Sequence, residues 1–174
     1  MIVLGFDTSA AHCAAALWCD GDIVASARAE MKRGQAERLM GLLEEMLTQQ
    51  RITWRNLDAI GVGIGPGNFT GVRVAVSAAR GLALGLGIPA IGVNRFDVIA
   101  AAFGTQGSPA VRAPQDQVYV LQQGSAPQMV ALDVAEALPD PLLFEPEGFN
   151  PSPFIAQIAA ARKDTQTERP APLY

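Results

Sequence analysis

The chain has 174 residues, of which 49% are hydrophobic and 17% are charged. This length suits one domain or two small lobes, and a chain of this size buries about 70% of its unfolded surface, which excludes a wholly disordered protein. The net charge of −4 and the pI of about 4.9 argue against a protein that holds nucleic acid by itself, because phosphate binding needs clustered Lys and Arg.

The apolar segments are short, and the first residues carry no basic cluster. No apolar run approaches the roughly 20 residues of a membrane span, and Asp7 follows the first run at once, so we expect neither a membrane helix nor a signal peptide. Cys13 and Cys19 lie in one apolar segment, where a strand would hold them about 20 Å apart, too far for a disulfide. We therefore expect two buried thiols in a reducing cytoplasm.

Composition divides the chain near residue 105. Residues 1–104 hold 14 of the 17 glycines and 2 of the 12 prolines, whereas residues 105–174 hold the remainder. The first part carries 9 basic and 9 acidic residues and the second carries 4 basic and 8 acidic residues. These shifts predict an ordered first lobe, 1–104, and a shorter, loop-rich second lobe with a tail, 105–174.

Hydrophobic periodicity predicts an α/β first lobe. Its strands open as an antiparallel meander, with Asp20-Gly21-Asp22 as a tight turn. The predicted elements are strands 2–6, 13–19 and 23–30, helix 35–49, strand 59–64, loop 65–71, helix 72–86, strand 88–93 and helix 96–103.

The second lobe has weaker patterns. Residues 117–122 and 128–132 are consistent with a hairpin that turns at Gly124-Ser125. Residues 153–162 are consistent with a helix, with Ser152 as its N-cap and Pro153 at its first position.

Two polar segments are candidates for binding a nucleotide or another anion. Asp7-Thr8-Ser9 follows the first strand, where a carboxylate and hydroxyls can face a phosphate or metal, although short side chains in a turn also bond their own backbone. Gly65–Gly71 joins a strand to a helix N-terminus that can accept an anion, but it has neither a Walker nor a Rossmann pattern. An equally good interpretation is a structural loop whose Phe69 packs into the core. The candidate residues are Asp7, Thr8, Gly65, Gly67, Asn68, Thr70 and Gly71.

The helices 35–49 and 72–86 are more apolar than one small sheet requires. Core packing explains most such residues, and the functional interpretation is a face on which a partner helix docks. The candidate interface residues are Leu39, Met40, Leu43, Val72, Ala75, Ala78, Ala79 and Leu82.

Metal and nucleophile chemistry lack support in the sequence. His12 is the single histidine, and the cysteines have no CxxC spacing, so we predict no metal site. His12 could pair with Ser9 and an aspartate, but a turn residue between two strands is the favoured interpretation. We predict no catalytic residue.

Several segments of the sequence resemble those of a known family, the bacterial TsaB (YeaZ) family. The resemblance rests on Ile2–Thr8, on Ala15, Leu17 and Trp18, on the helix around Gln35–Met40, and above all on Gly65–Arg73. That stretch differs from the usual Gly-Pro-Gly-Ser-Phe-Thr-Gly-Leu/Val-Arg mainly by Asn68 in the serine place. Gln117-Val118-Tyr119 and Pro172-Leu173-Tyr174 also fit the pattern of the family.

The resemblance implies an actin-like (ASKHA, ribonuclease-H-like) two-lobed ATPase fold with a mixed sheet and flanking helices. It implies a non-catalytic scaffold or activator in making N6-threonylcarbamoyladenosine on tRNA, which dimerises with the catalytic subunit TsaD and engages the ATPase TsaE. It implies a cytoplasmic protein that does not bind tRNA alone, forms a homodimer when its partner is absent, and has no firm cofactor beyond weak ATP or ADP with Mg²⁺.

The chain departs from the family pattern in its second lobe, which is shorter than usual. Arg112-Ala113-Pro114 stands where relatives carry Asp-Ala-Arg, so we expect no phosphate or metal contact there. The alternative function is an actin-like ATPase or phosphotransferase that uses Asp7, Thr8 and the Gly65–Gly71 loop. The interpretation as a peptidase is weaker still, because the sequence has neither a pair of metal ligands nor a credible catalytic triad.

Overall fold

The computed structural model describes residues 1–166 and 168–173, so Tyr174 of the closing motif lies outside the described residues. Nine strands and five α-helices are found in these residues. In chain order they are β1 (Ile2–Asp7), β2 (His12–Cys19), β3 (Asp22–Glu30), α1 (Gln35–Gln49), β4 (Ala59–Gly63), α2 (Phe69–Leu86), β5 (Ala90–Val93), α3 (Arg95–Phe103), β6 (Ser108–Ala113), β7 (Gln117–Val120), β8 (Gln128–Ala131), α4 (Leu132–Glu136), β9 (Leu142–Leu143) and α5 (Ser152–Arg162).

Residues 1–94 and the described residues of 150–173 form one compact unit around a five-stranded sheet. The strand order is β3-β2-β1-β4-β5, in which β1 pairs antiparallel with β2 and parallel with β4. The predicted meander is therefore confirmed. Because the central strands are covered on both faces, β1 and β4 are buried along almost their whole length.

Helices α1 and α2 cover one face of this sheet with the apolar stripes that the periodicity predicted. Leu39, Leu43 and Val72 lie in one hydrophobic core with Leu4 and Phe6 of β1. Helix α2 is long and apolar enough to cross a membrane by length and composition alone, with a mean hydropathy of 1.2. Core helices pass the same test, and one face of α2 lies in this core.

Helix α5 packs against β1, β2 and β4 of the first unit. Two glycines make this close approach possible. A Cβ at Gly5 would lie 2.6 Å from the backbone nitrogen of Ala156, and one at Gly61 would lie 2.7 Å from the Ala159 side chain. We expected this helix in the second lobe. It belongs to the first unit because it packs on β1, β2 and β4, which are far away in sequence.

Residues 95–149 form the other compact unit, so the division of the chain differs from the predicted boundary at 104/105. Its sheet has the order β8-β7-β6-β9, and the predicted hairpin is confirmed as β7 and β8. Arg95 makes a part-buried ion pair with Glu145, its Nε lying 2.9 Å from Oε1. This unit carries two basic and seven acidic residues.

Several local predictions were wrong in detail. The patterns missed β6, α4 and β9, since β6 contains Pro109 and the other two are very short. Pro151 is the N-cap of α5, and Ser152 is already helical, with its hydroxyl donating to Asn150 Oδ1 at 2.7 Å. Arg112 lies in β6 with its guanidinium 4.6 Å from the Phe144 ring centroid.

Candidate functional site

The turn after β1 is a buried polar cluster centred on the Asp7 carboxylate. Asp7, Ser9 and His12 are each at most 3% exposed. Asp7 Oδ1 accepts hydrogen bonds from the Ser9 backbone N–H and from the Ser9 hydroxyl, both at 2.9 Å, and His12 Nε2 lies 2.7 Å from the same oxygen. The first polar segment therefore bonds mainly to itself and to β2.

His12 is the first residue of β2, so its assignment to a turn was wrong. The structure brings His12, Ser9 and Asp7 together, yet the arrangement differs from a nucleophilic triad. In a triad the serine hydroxyl donates to the histidine, whereas the Ser9 hydroxyl donates to Asp7. Among the described residues, no group of three or more His, Cys, Asp or Glu side chains could hold a metal ion.

The glycine-rich loop lies directly against this turn. The Thr8 hydroxyl donates to the Gly71 carbonyl oxygen at 2.6 Å, and the Asn68 N–H donates to the Ser9 carbonyl oxygen at 2.6 Å. The glycine-rich loop and the Asp7–Ser9 turn are therefore in direct contact. Thr8 is fully buried, whereas Asn68 and Thr70 are exposed.

Oxygen atoms of the protein occupy the space beside Gly63, the last residue of β4, and beside the three glycines of the segment Gly65–Gly71. A Cβ at Gly63 would collide with Asp7 Oδ2, one at Gly67 with the Ser9 carbonyl oxygen, and one at Gly71 with the Thr8 carbonyl oxygen. A Cβ at Gly65 would lie 2.8 Å from the Leu173 carbonyl oxygen. These glycines therefore serve the close approach of the chain to itself, and the oxygens around them disfavour a phosphate on that side of the loop.

Asn68 is the N-cap of α2, and the helix therefore begins earlier than the predicted loop allowed. Its side-chain oxygen accepts a 2.9 Å hydrogen bond from the Gly71 N–H, so the helix starts at Phe69 rather than at Val72. Ser and Asn are both strong N-caps, which explains how Asn68 replaces the usual serine of the motif. The cap also satisfies one of the amide groups that an anion would use.

Phe69 does not pack into the core, contrary to the structural interpretation of the loop. Its side chain is 51% exposed at the first turn of α2, and the Arg73 guanidinium lies 3.6 Å from the centroid of its ring. A stacked aromatic and arginine pair on the surface is the kind of feature found at the centres of protein interfaces.

The predicted docking residues separate into two groups. Leu39, Leu43, Val72, Ala75 and Ala79 lie in the core of the protomer, so their assignment to an exposed docking face was wrong. Ala78 and Leu82 are half-buried, and Met40 is 39% exposed. The apolar excess of the two helices is mostly used by the sheet beneath them.

An exposed stripe on α2 was missed by the sequence analysis. We call it the α2 outer face. It is defined by Phe69, Arg73, Ser77, Arg80, Gly81, Leu84 and Gly85, all of which are exposed. Leu84 is 82% exposed, and a Cβ added at Gly81 or Gly85 would meet no atom within 4 Å. The signal that could have found it is the spacing of four residues between Ser77, Gly81 and Gly85, since helix-interior glycines need a reason.

Both cysteines are free thiols, as the sequence predicted, but only Cys13 is buried, so the expectation of two buried thiols was wrong for Cys19. Burial raises the pKa of the Cys13 thiol to about 11, with Arg38 opposing and Asp7 adding to the shift. Burial also raises the pKa of Cys19, which is only partly covered. Cys13 lies beside the Asp7 cluster in sequence but remains a protonated core residue at neutral pH.

Comparison with known proteins places these features in a family. A model of the family described as "TsaD: tRNA N6-adenosine threonylcarbamoyltransferase" matches residues 24–140. The chain is 36% identical over 118 residues to the tRNA threonylcarbamoyladenosine biosynthesis protein TsaB of Escherichia coli, which covers 67% of this chain and 50% of that protein. The chain belongs to the TsaB/YeaZ family. The TsaB of Bacillus subtilis is 32% identical over 122 residues, which covers 68% of this chain and 53% of that protein.

Solved structures agree with the TsaB/YeaZ assignment at the level of the fold. YeaZ from Pseudomonas aeruginosa superimposes with a TM-score of 0.77 at 24% identity, covering 99% of each chain. A second structure from that organism, with similarity to peptidase YeaZ, gives a TM-score of 0.79 and covers 98% of that chain. The chain has the YeaZ fold, an α/β fold with mixed sheets. It spans about half the length of the curated TsaB relatives that it matches.

Proposed function

We propose that this chain is a non-catalytic scaffold or activator subunit of the tRNA threonylcarbamoyladenosine transferase machinery. In this proposal it docks on a TsaD-like catalytic subunit in the cytoplasm, and a TsaE-like ATPase joins the assembly. Family membership supports the pathway. The observation that carries the docking role is the α2 outer face.

The glycines of the α2 outer face support a helix as the docking element. Gly81 lies in the interior of α2, where a glycine costs about 1 kcal/mol relative to alanine, and Gly85 lies in the last turn of the helix. Packing within the protomer does not require glycine at either position, because a Cβ at Gly81 or Gly85 would meet no atom within 4 Å. Small residues let a second helix approach closely, since the side chains at a contact set the distance between helix axes.

The charges of the same face indicate the chemistry of the partner. Arg73 and Arg80 are the charged residues of α2, and both are exposed. A complementary partner surface carries carboxylates opposite them and an apolar hollow for Phe69 and Leu84. A homodimer through this face, formed when the partner is absent, would set like charges against each other and is the weaker association.

Two further features support a role without chemistry of its own. The net charge of −4 disfavours direct tRNA binding by this chain, so the tRNA is held by the partner. The oxygen atoms facing Gly63, Gly65, Gly67 and Gly71 do not fit a nucleotide phosphate there. We assign no resident cofactor to the chain. Tight binding of ATP and Mg²⁺ in calorimetry would instead favour the ATPase alternative.

The docking experiment measures the affinity of the full chain for the TsaD-like subunit of the same source by calorimetry. Arg80→Glu and Phe69→Ala are each expected to weaken docking about tenfold or more, because hot-spot residues at an interface centre have effects of this size. Gln157→Ala, at an exposed position of α5, is the control and should bind as the wild type does. Wild-type affinity in both α2 variants would refute the docking face, and modified tRNA made by the chain alone would refute the non-catalytic role.

A further inference from the structure

The segment Pro170–Leu173 returns to the point where β4 ends. The Leu173 N–H donates to the Ile64 carbonyl oxygen at 2.8 Å, and the Ile64 N–H donates to the Val93 carbonyl oxygen at 3.0 Å. Pro170 is buried, and its Cβ would lie 3.3 Å from a Cβ built on Gly92 of β5. The segment therefore holds the residue from which the glycine-rich loop departs.

The loop is fixed on two sides before α2 begins. On one side, the Leu173 carbonyl oxygen approaches Gly65 so closely that a Cβ would lie 2.8 Å from it, and Gly65 has a φ of 91° that favours glycine. On the other side, the Asn68 N–H donates to the Ser9 carbonyl oxygen at 2.6 Å. Phe69, the first helical residue, follows directly.

We propose that Pro170–Leu173 is a strap that sets the position of the loop and, through it, of Phe69 and Arg73 at the start of the α2 outer face. This inference rests on the proposed function, since that face is the docking surface. Pro170 and Pro172 fix two φ angles, so ordering the short strap costs little conformational entropy. Because a single backbone hydrogen bond from Leu173 joins it to Ile64, the strap can open locally without unfolding the sheet.

The test removes that donor. Leu173→Pro deletes the N–H that bonds Ile64, and Leu173→Ala is the matched control that keeps it. Amide hydrogen exchange at Asn68 and Gly71 should accelerate between about twofold and tenfold in Leu173→Pro, the range expected for one net hydrogen bond. Exchange at Leu4 in β1 should stay as in the wild type, which shows that the sheet is intact. Unchanged exchange at Asn68 and Gly71 would overturn the strap.

A docking measurement on the same variants separates this inference from the function on which it rests. Leu173→Pro should weaken binding of the TsaD-like subunit by about the factor seen in exchange, and Leu173→Ala should bind as the wild type. If Arg80→Glu weakens docking while Leu173→Pro does not, the coupling through the strap is wrong and the docking face stands. If Arg80→Glu has no effect, the docking face fails, and the exchange result alone supports or overturns the strap.

Discussion

Thr8 and Gly71 make two close contacts, one through the Thr8 hydroxyl and one through the Thr8 carbonyl oxygen. The Thr8 hydroxyl donates to the Gly71 carbonyl oxygen at 2.6 Å, and the Thr8 carbonyl oxygen lies where a Gly71 Cβ would be. The two residues are 63 positions apart in sequence. This double contact locks the first turn of α2 onto the end of β1, and it explains the glycine without a ligand.

Gly71→Ala should destabilise the protein by about 1–3 kcal/mol, because the added Cβ forces a buried backbone segment to move. Urea unfolding followed by circular dichroism measures the effect. Gly85→Ala on the same helix is the control, since its Cβ meets nothing within 4 Å. A Gly71→Ala variant as stable as the wild type would contradict the assignment of this glycine to internal packing.

Gly81→Ala should raise the free energy of unfolding of the chain and also lower its affinity for the TsaD-like subunit. The substitution removes a helix-interior glycine at an exposed site, so the free energy of unfolding should rise by up to about 1 kcal/mol. The new methyl group should hold a partner helix away and weaken its binding. Thermal unfolding of the free chain and calorimetry with the TsaD-like subunit measure the two effects. Equal or tighter docking would show that no close helix contact lies at Gly81.

The buried Cys13 thiol should make stability fall in alkaline solution. Burial raises its pKa from 9.0 to about 11, so between these values the unfolded chain loses a proton that the folded chain keeps. Fewer protons on the unfolded state mean that the free energy of unfolding decreases as pH rises through this window. Urea midpoints at pH 8 and pH 10.5 should differ less in Cys13→Ala than in the wild type. An identical pH dependence in the two proteins would refute this account.

His12 should contribute more to stability than Ser9 does. His12→Ala removes a partner of the buried Asp7 carboxylate and leaves a cavity, at a cost of about 2–4 kcal/mol. Ser9→Ala keeps the Ser9 N–H bond to Asp7 and loses only the hydroxyl bond, at a cost of about 1 kcal/mol. Urea unfolding of both variants compares the two losses. A larger effect in Ser9→Ala would contradict the described cluster.

The sequence predicted the elements of the first unit well, because their apolar residues recur with clear periods. The three-stranded meander, α1 and the strand before the glycine-rich loop follow from such local patterns. The second unit was predicted less completely, since a strand that contains Pro109 and elements of two to five residues leave little periodic signal.

The sequence identified the two polar segments of the candidate site but suggested an anion beside them, whereas oxygen atoms of the protein occupy the space beside the glycines. Asp7-Thr8-Ser9 and Gly65–Gly71 do meet, yet which atoms fill the space beside each glycine depends on segments far away in sequence, Leu173 among them. No local pattern carries that information. The same holds for the docking helices, where the sheet decides which face of α2 is covered.

The sequence by itself determined the order of strands and helices in the first unit, the absence of a disulfide between Cys13 and Cys19, and the family resemblance of Gly65–Arg73, because these depend on periodicity, spacing and local motifs. The tertiary structure alone decided that α5 joins the first unit, that Phe69 faces outward, and that oxygens of the chain surround the loop glycines. Those outcomes follow from long-range packing, in which burial and close backbone approach select one face of each element from several that the sequence permits.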